Sequence, residues 1–361
     1  MLTTTLVISV LLLIVLYLWK RVKQPPNYFQ LTGVRAPEPL LDFDVDTAIA
    51  RPYRLKSMDP DRWIELESTY KERIQQRIQL YADHGKKIVD CLPGAESACR
   101  ELMEMVVQFV VARYPGQFSV NYRTGVFTNN ILGTTSNMYT DEPLRLLLHH
   151  IPEDFLITLK DQKTGLYTFR AGVSCSSIGW NVATKIGMNL QQIHTPVPDY
   201  KEKMAFSMDR FFTNMKVDKP IQRGSWGLEV GQPLFLQEDD PDYRRKNPNT
   251  TAADINLRVD WQTLRRLPNS RAIVFNFKPL FTPMTQFREE PFIPRLLLKI
   301  LRDGKPSFMQ YKAFEHVEEH VIPALEEWAK EQEDKGWVPR DWTERTLPED
   351  PFFPGWEKRY A

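Results

Sequence analysis

The chain has 361 residues, 42% of them hydrophobic and 26% charged, with 47 Lys and Arg set against 46 Asp and Glu. A formal net charge of +1 gives no electrostatic basis for binding nucleic acid, and three cysteines without framework spacing exclude a disulfide-stapled scaffold. Length and composition fit a folded body of one large domain or two small ones.

Residues 2–19 form an uncharged apolar run near the lower limit for a bilayer-spanning helix, and Lys20, Arg21 and Lys23 follow it directly. No basic segment precedes the run and no small-residue cleavage site follows it, so an uncleaved anchor over residues 1–20 is expected rather than a signal peptide. The basic flank turns the body toward the cytosol, with the endoplasmic reticulum as the expected membrane. The only N-x-S/T sequon, Asn249-Thr250-Thr251, is then expected to stay bare. Residues 21–50, with Pro25, Pro26, Pro37 and Pro39, read as a tether.

Asp59 and Pro60 are suited to the N-cap and first turn of a helix running to about residue 82. A second helix follows Pro93-Gly94, with Ala98, Leu102, Met105 and Phe109 in one apolar stripe, and stops at Tyr114-Pro115. Strands are predicted over 154–160 and 166–175 around an Asp-Gln-Lys-Thr-Gly turn, then over 224–230, 255–262 and 272–277. Helices return over 294–302 and 308–331, and residues 336–361, rich in proline and aromatics, read as a tail. The body at 51–335 is therefore α+β: a central antiparallel sheet flanked by helices and preceded by one N-terminal transmembrane helix.

Two segments carry candidate chemistry. In Ile193-His194-Thr195-Pro196-Val197-Pro198 the prolines fix their own φ and restrict the residues before them, so His194 has little backbone freedom. An imidazole held at a fixed angle is what a metal or haem ligand requires, although most loop histidines are ordinary polar residues. In the strand at 255–262, Ile255, Leu257, Val259 and Trp261 alternate with Asn256, Arg258, Asp260 and Gln262. The polar side either meets water or lines a cavity; in the second case Arg258 and Gln262, with Arg265 and Arg266 just beyond, are placed to bind carboxylates.

Trp180, Lys185-x-Gly187, Ile193-His-x-Pro-Val-Pro198, Arg223-Gly-Ser-Trp226 and Leu257-Arg-x-Asp-x-Gln-Thr-Leu-Arg-Arg-Leu-Pro268 resemble, in that order, the haem-dependent oxidative N-demethylase alpha-subunit-like family. Met58-Asp-Pro60, Trp63 and Thr69-Tyr70 add to the likeness, which covers residues 50–330 and is nearest to membrane-anchored fungal members. The resemblance implies a PAS-like sheet carrying haem b, oxidation of a secondary amine with O₂, and release of a methyl group as formaldehyde. It further implies His194 as the iron ligand and Lys185, Arg223 and Arg258 as basic positions suited to propionates. Arg265 joins the cofactor-binding set, and Arg258 with Gln262 takes the catalytic side. One departure stands at Asp260-Trp261, where bacterial members read Glu-Arg; it bears on the substrate more than on the haem.

No GxGxxG fingerprint is present, so electrons would come from a separate flavin or iron–sulfur reductase, and the substrate would be an amine or another small organic molecule. The alternative reading is a PAS-like haem or ligand sensor without turnover, and a third is an inactive binder. Three other sites compete. Cys175 is either a thiolate ligand or a small apolar core residue. His316-Val-Glu-Glu-His320 matches H-x-x-E-H but sits in a Glu-rich stretch that reads more simply as a solvated surface. His149-His150 ends a helix and is assigned no chemistry.

Overall fold

The computed structural model describes residues 24–48 and 56–345. Among the described residues there are ten strands: β1 (Lys56–Ser57), β2 (Val89–Cys91), β3 (Phe118–Asn121), β4 (Val126–Asn129), β5 (Thr134–Asn137), β6 (Asp154–Lys160), β7 (Tyr167–Val173), β8 (Ile221–Val230), β9 (Ile255–Arg266) and β10 (Ile273–Pro283). Seven of them form one sheet in the order β1-β8-β9-β10-β6-β7-β2, every neighbouring pair antiparallel. β3, β4 and β5 make a separate small sheet. The helices are α1 (Tyr28–Thr32), α2 (Tyr70–His84), α3 (Glu96–Arg113), α4 (Pro143–His150), α5 (Val182–Lys185), α6 (Leu190–Ile193), α7 (Ala205–Asn214), α8 (Ile293–Asp303), α9 (Pro306–Lys312) and α10 (Glu318–Asp334).

The central antiparallel sheet flanked by helices agrees with the sequence reading. The membrane part does not. Among the described residues no helix is long and apolar enough to cross a membrane. The longest apolar-rich helix, α3, carries Glu96, Arg100, Glu101, Glu104 and Arg113, and packs into the core. The expected transmembrane helix and the single-pass, endoplasmic-reticulum placement are corrected accordingly; the run at 2–19 on which they rested lies outside the described residues.

Local chemistry explains where other boundaries moved. Asp59 caps only a single 3₁₀ turn, its side chain accepting from the Asp61 amide at 3.0 Å. Trp63, Ile64 and Leu66 then bury in the core in non-helical backbone. The helix restarts at Tyr70 after the Glu67 carboxylate accepts from the Thr69 amide at 2.9 Å. The long C-terminal helix is two, α9 and α10, broken at Ala313 with φ 49°.

Two layers cover the sheet. Register places Arg223, Gln262 and Phe277 side by side on one face, followed by Ile221, Leu264 and Phe275. The excursion α5–α7, between β7 and β8, closes over that face through Leu190, Phe212 and Met215 packed on Leu264 and Ile273. The opposite face buries Val274 and Phe155 against Trp63 and α3 in the largest core. A third core joins α8 and α10 to Leu228 and Ile255.

Candidate functional site

His194 is set by a chain of local bonds. The Asn189 side chain accepts from the Gln192 amide at 3.0 Å and the Gln192 side chain accepts from the Asn189 amide at 2.9 Å, a reciprocal cap that starts the single turn α6. His194 closes that turn, its amide donating to the Leu190 carbonyl at 3.1 Å. The ring nitrogen Nδ1 lies 2.7 Å from the same carbonyl. A carbonyl oxygen only accepts, so Nδ1 carries the proton and the neutral ring keeps its lone pair on Nε2. Nε2 has no partner among the described residues.

Tyr200 holds the plane of the ring. The two rings are stacked, 4.6 Å between centroids and 5° from parallel. Asp199, in the left-handed region at φ 57°, turns the chain into a π-helix over Tyr200–Met204, which is how a residue six positions on returns to the imidazole. Burial pushes the Tyr200 hydroxyl up, and that hydroxyl is buried without a hydrogen-bond partner. Burial also pulls the His194 imidazole below its ordinary value, the nearby charges of Arg223 and Lys185 adding to the effect, while the bond to Leu190 opposes it. The ring is therefore neutral at pH 7.

Lys185 ends α5 half-buried and forms no ion pair or hydrogen bond among the described residues. Arg223 donates from Nε to Gln262 Oε1 at 2.7 Å and lies 5.9 Å from the Phe275 ring centre, with no carboxylate paired to it among the described residues; burial lowers its proton affinity. The amide nitrogen of Gln262 has no partner among the described residues. Trp180, 6.2 Å from Phe277, adds an aromatic wall. It follows Gly179 at φ 73°, where a Cβ would lie 2.6 Å from the Tyr243 hydroxyl, so this turn favours glycine. Lys312 of α9 reaches the rim, donating to Ser225 Oγ at 3.0 Å and to the Trp226 carbonyl at 2.6 Å.

His194, Lys185, Arg223 and Gln262 thus come together. Arg258 and Arg265 do not join them. Arg258 donates from Nε to Asp260 at 2.8 Å, to the Pro233 carbonyl at 3.2 Å and to the Ser176 carbonyl, which makes it a brace between two loops. Arg265 has the opposite parity to Gln262 and faces the large core, its guanidinium 3.3 Å from the Trp63 ring centre. Burial drops it to about 9. Arg266 shares the face of Gln262, but its donors go to the Met215, Phe212 and Thr213 carbonyls at the end of α7 and to Tyr167.

The competing sites resolve into structure. Cys175 is fully buried, its thiol 3.9 Å from the Arg77 carbonyl, and burial pushes it up to about 12, so it is a thiol rather than a thiolate. His316 Nδ1 and His320 Nε2 each bond a backbone carbonyl, of Ala313 and Asn247, and His316 lies outside α10. His150 Nε2 lies 2.8 Å from Ser136 Oγ, but the pair is no nucleophile and base. Leu132 donates to Asn129 Oδ1, so the Asn129 amide nitrogen donates to His150 Nδ1 at 3.2 Å, and Nε2–H must donate to the serine. Among the described residues no group of three or more His, Cys, Asp or Glu is arranged to hold a metal ion.

Tyr200 and Lys312 were missed by sequence reasoning. The π-turn that returns Tyr200 leaves no periodic signal, and Lys312 is brought in by tertiary packing alone. Residues 54–322, which include all of these positions, match the family model described as haem-dependent oxidative N-demethylase, alpha subunit-like.

Proposed function

Because the chain belongs to the haem-dependent oxidative N-demethylase alpha-subunit-like family, we propose that the face between α5–α7 and β8–β10 holds haem b and serves oxidation of a small organic substrate, in the first place an N-methylated amine. One observation carries this reading: an imidazole with Nδ1 locked to Leu190 and Nε2 free, beside two cations that meet no anion among the described residues.

The residues fit the group. His194 would hold the iron through the ring nitrogen Nε2, its other ring nitrogen donating to the Leu190 carbonyl. Two propionates need cations not already neutralised, which Lys185 and Arg223 supply; a half-buried cation left without a counter-charge is costly unless a ligand completes it. Trp180, Phe275 and Phe277 offer flat apolar contact. The bound group would supply the redox chemistry with O₂, fed by a separate electron donor.

The chain's own residues do the rest. Tyr200 fixes the imidazole plane, and Leu190 fixes its tautomer. Gln262, oriented by its bond from Arg223, offers free amide N–H groups to a substrate acceptor. Arg258 acts at one remove, by bracing the loops at Ser176 and Pro233 rather than by touching substrate.

Titration of the purified protein with haemin tests the reading. A stoichiometric Soret band is expected, lost in His194→Gly and recovered when imidazole is added. Formaldehyde release from a methylated secondary amine, with O₂ and a chemical reductant, then separates an oxidase from a non-catalytic haem protein. A protein that takes up no haem ends the proposal.

A further inference from the structure

Cys91 and Cys99 lie outside the site, and neither is used by the chemistry above. Their sulfurs are 3.7 Å apart. Cys91 is the last residue of β2, paired with Ala171 of β7, and is half-buried; Cys99 sits in the first turn and a half of α3 and is 1% exposed. The turn Leu92-Pro93-Gly94-Ala95, with Gly94 at φ 90°, folds the helix start back over the strand end and brings the two thiols together.

We propose that Cys91 and Cys99 form a reversible disulfide, with Cys91 as the residue first attacked by a hydroperoxide and Cys99 as the resolving thiol. Three features assign the roles. Cys91 is the one within reach of solvent. The two sulfurs share a hydrogen bond in which either thiol can donate, and sharing it favours the thiolate at the more exposed Cys91 and opposes it at the buried Cys99. Burial protects Cys99 from direct attack and leaves it beside the sulfur that would be oxidised.

The chemistry balances. The Cys91 thiolate attacks a peroxide oxygen; an S–O bond forms, the O–O bond breaks, and the departing hydroxide takes a proton to become water, or an alcohol for an organic peroxide. Cys99 sulfur then attacks Cys91 sulfur; the S–S bond forms, the S–O bond breaks, and the Cys99 proton leaves with the hydroxyl as water. The two sulfurs give up two electrons and the peroxide receives them. Bridging requires the sulfurs to close from 3.7 Å to about 2 Å, a displacement that side-chain rotation and a small shift of the strand end can share.

The position connects this pair to the site. Leu92 donates to the Arg170 carbonyl at 2.8 Å, and α5, which ends at Lys185, packs against β2. A bridge at the end of β2 therefore lies beside the segment carrying that lysine.

The test uses the whole reduced chain, exposed to stoichiometric hydrogen peroxide, blocked with an alkylating agent and digested with trypsin. The peptide at 88–100 contains both cysteines. Its expected product is unalkylated and about 2 Da lighter than the dithiol, and dithiothreitol reverses it. Cys175→Ala leaves that product intact, whereas Cys99→Ser replaces it by a dimedone-reactive Cys91. Two results overturn the proposal: both thiols still alkylate after treatment, or Cys91 passes to sulfinic acid in the wild-type chain without a bridge.

Discussion

Arg77 and Arg223 are both withdrawn from water beside the same sheet, yet their surroundings differ in kind. Arg77 is 1% exposed and meets Asp154 at 2.5 Å, while its second nitrogen donates to the Glu153 carbonyl at 2.9 Å. Asp154 in turn accepts from the Cys175 amide at 2.9 Å, the Ser176 amide at 2.7 Å and the Ser174 hydroxyl at 3.1 Å. Lys278 meets Glu67 at 3.1 Å nearby. Arg223 has one neutral amide oxygen, and Lys185 has nothing among the described residues. Buried charge that closes on itself fixes geometry; buried charge left open marks where a ligand's charge belongs.

Variants can break or sharpen that contrast. The largest effect is expected at the closed pair. Asp154→Ala strands the Arg77 guanidinium and three donors in the core, and about 3–5 kcal/mol of stability is lost, read by urea denaturation. If Arg223→Met lost as much, the distinction between the two regions would fail.

The next effect is a pH dependence. Burial pushes the Glu153 carboxyl up to about 7, and its Oε2 has no partner. An unfolded chain ionises this group near its ordinary value, so raising pH favours unfolding between about 4.5 and 7. The protection is full below that window and gone above it, a change of ~3 kcal/mol. Glu153→Gln should remove that component. Subtracting the two stability profiles from pH 5 to 8 isolates it from His150, which burial holds down at about 4 and which acts in the opposite direction.

At the open cations the expected changes lie in binding. Arg223→Gln should weaken haem affinity about tenfold, the loss of one charge-assisted contact, with folding stability unchanged or slightly raised. Tyr200→Leu should have the smallest effect on affinity, a few-fold, but should raise the imidazole proton affinity of the haem-free protein by exposing His194. NMR titration of the ring reads that shift without any cofactor, and an unchanged titration would remove Tyr200 from the account.

What the sequence made legible follows from periodicity. Alternation placed Arg258 and Gln262 on one face of β9; carried three residues further, the same parity puts Arg265 on the other, against Trp63, a consequence that its grouping with the cofactor-binding residues overlooked. The proline-flanked motif singled out His194, and the helical stripe of α3 was read within a few residues. Side-chain saturation was not legible. Arg258 and Gln262 look equivalent as letters, but one is tied to three acceptors from loops over 20 residues away or on its own strand, and the other keeps a free amide. Non-local returns were equally hidden, as with Tyr200 beneath His194 and Lys312 at the rim. The excursion α5–α7 is built from turns of four to ten residues, too short for a periodic signal to declare itself.

The decisive measurement is a haemin titration of wild-type and His194→Ala protein at pH 7.5, followed at the Soret band, with a thermal melt of each haem-free sample alongside. Equal melts are expected, with a one-to-one Soret complex in the wild type alone. An identical Soret complex in the variant, or none in a well-folded wild type, would contradict ligation by His194.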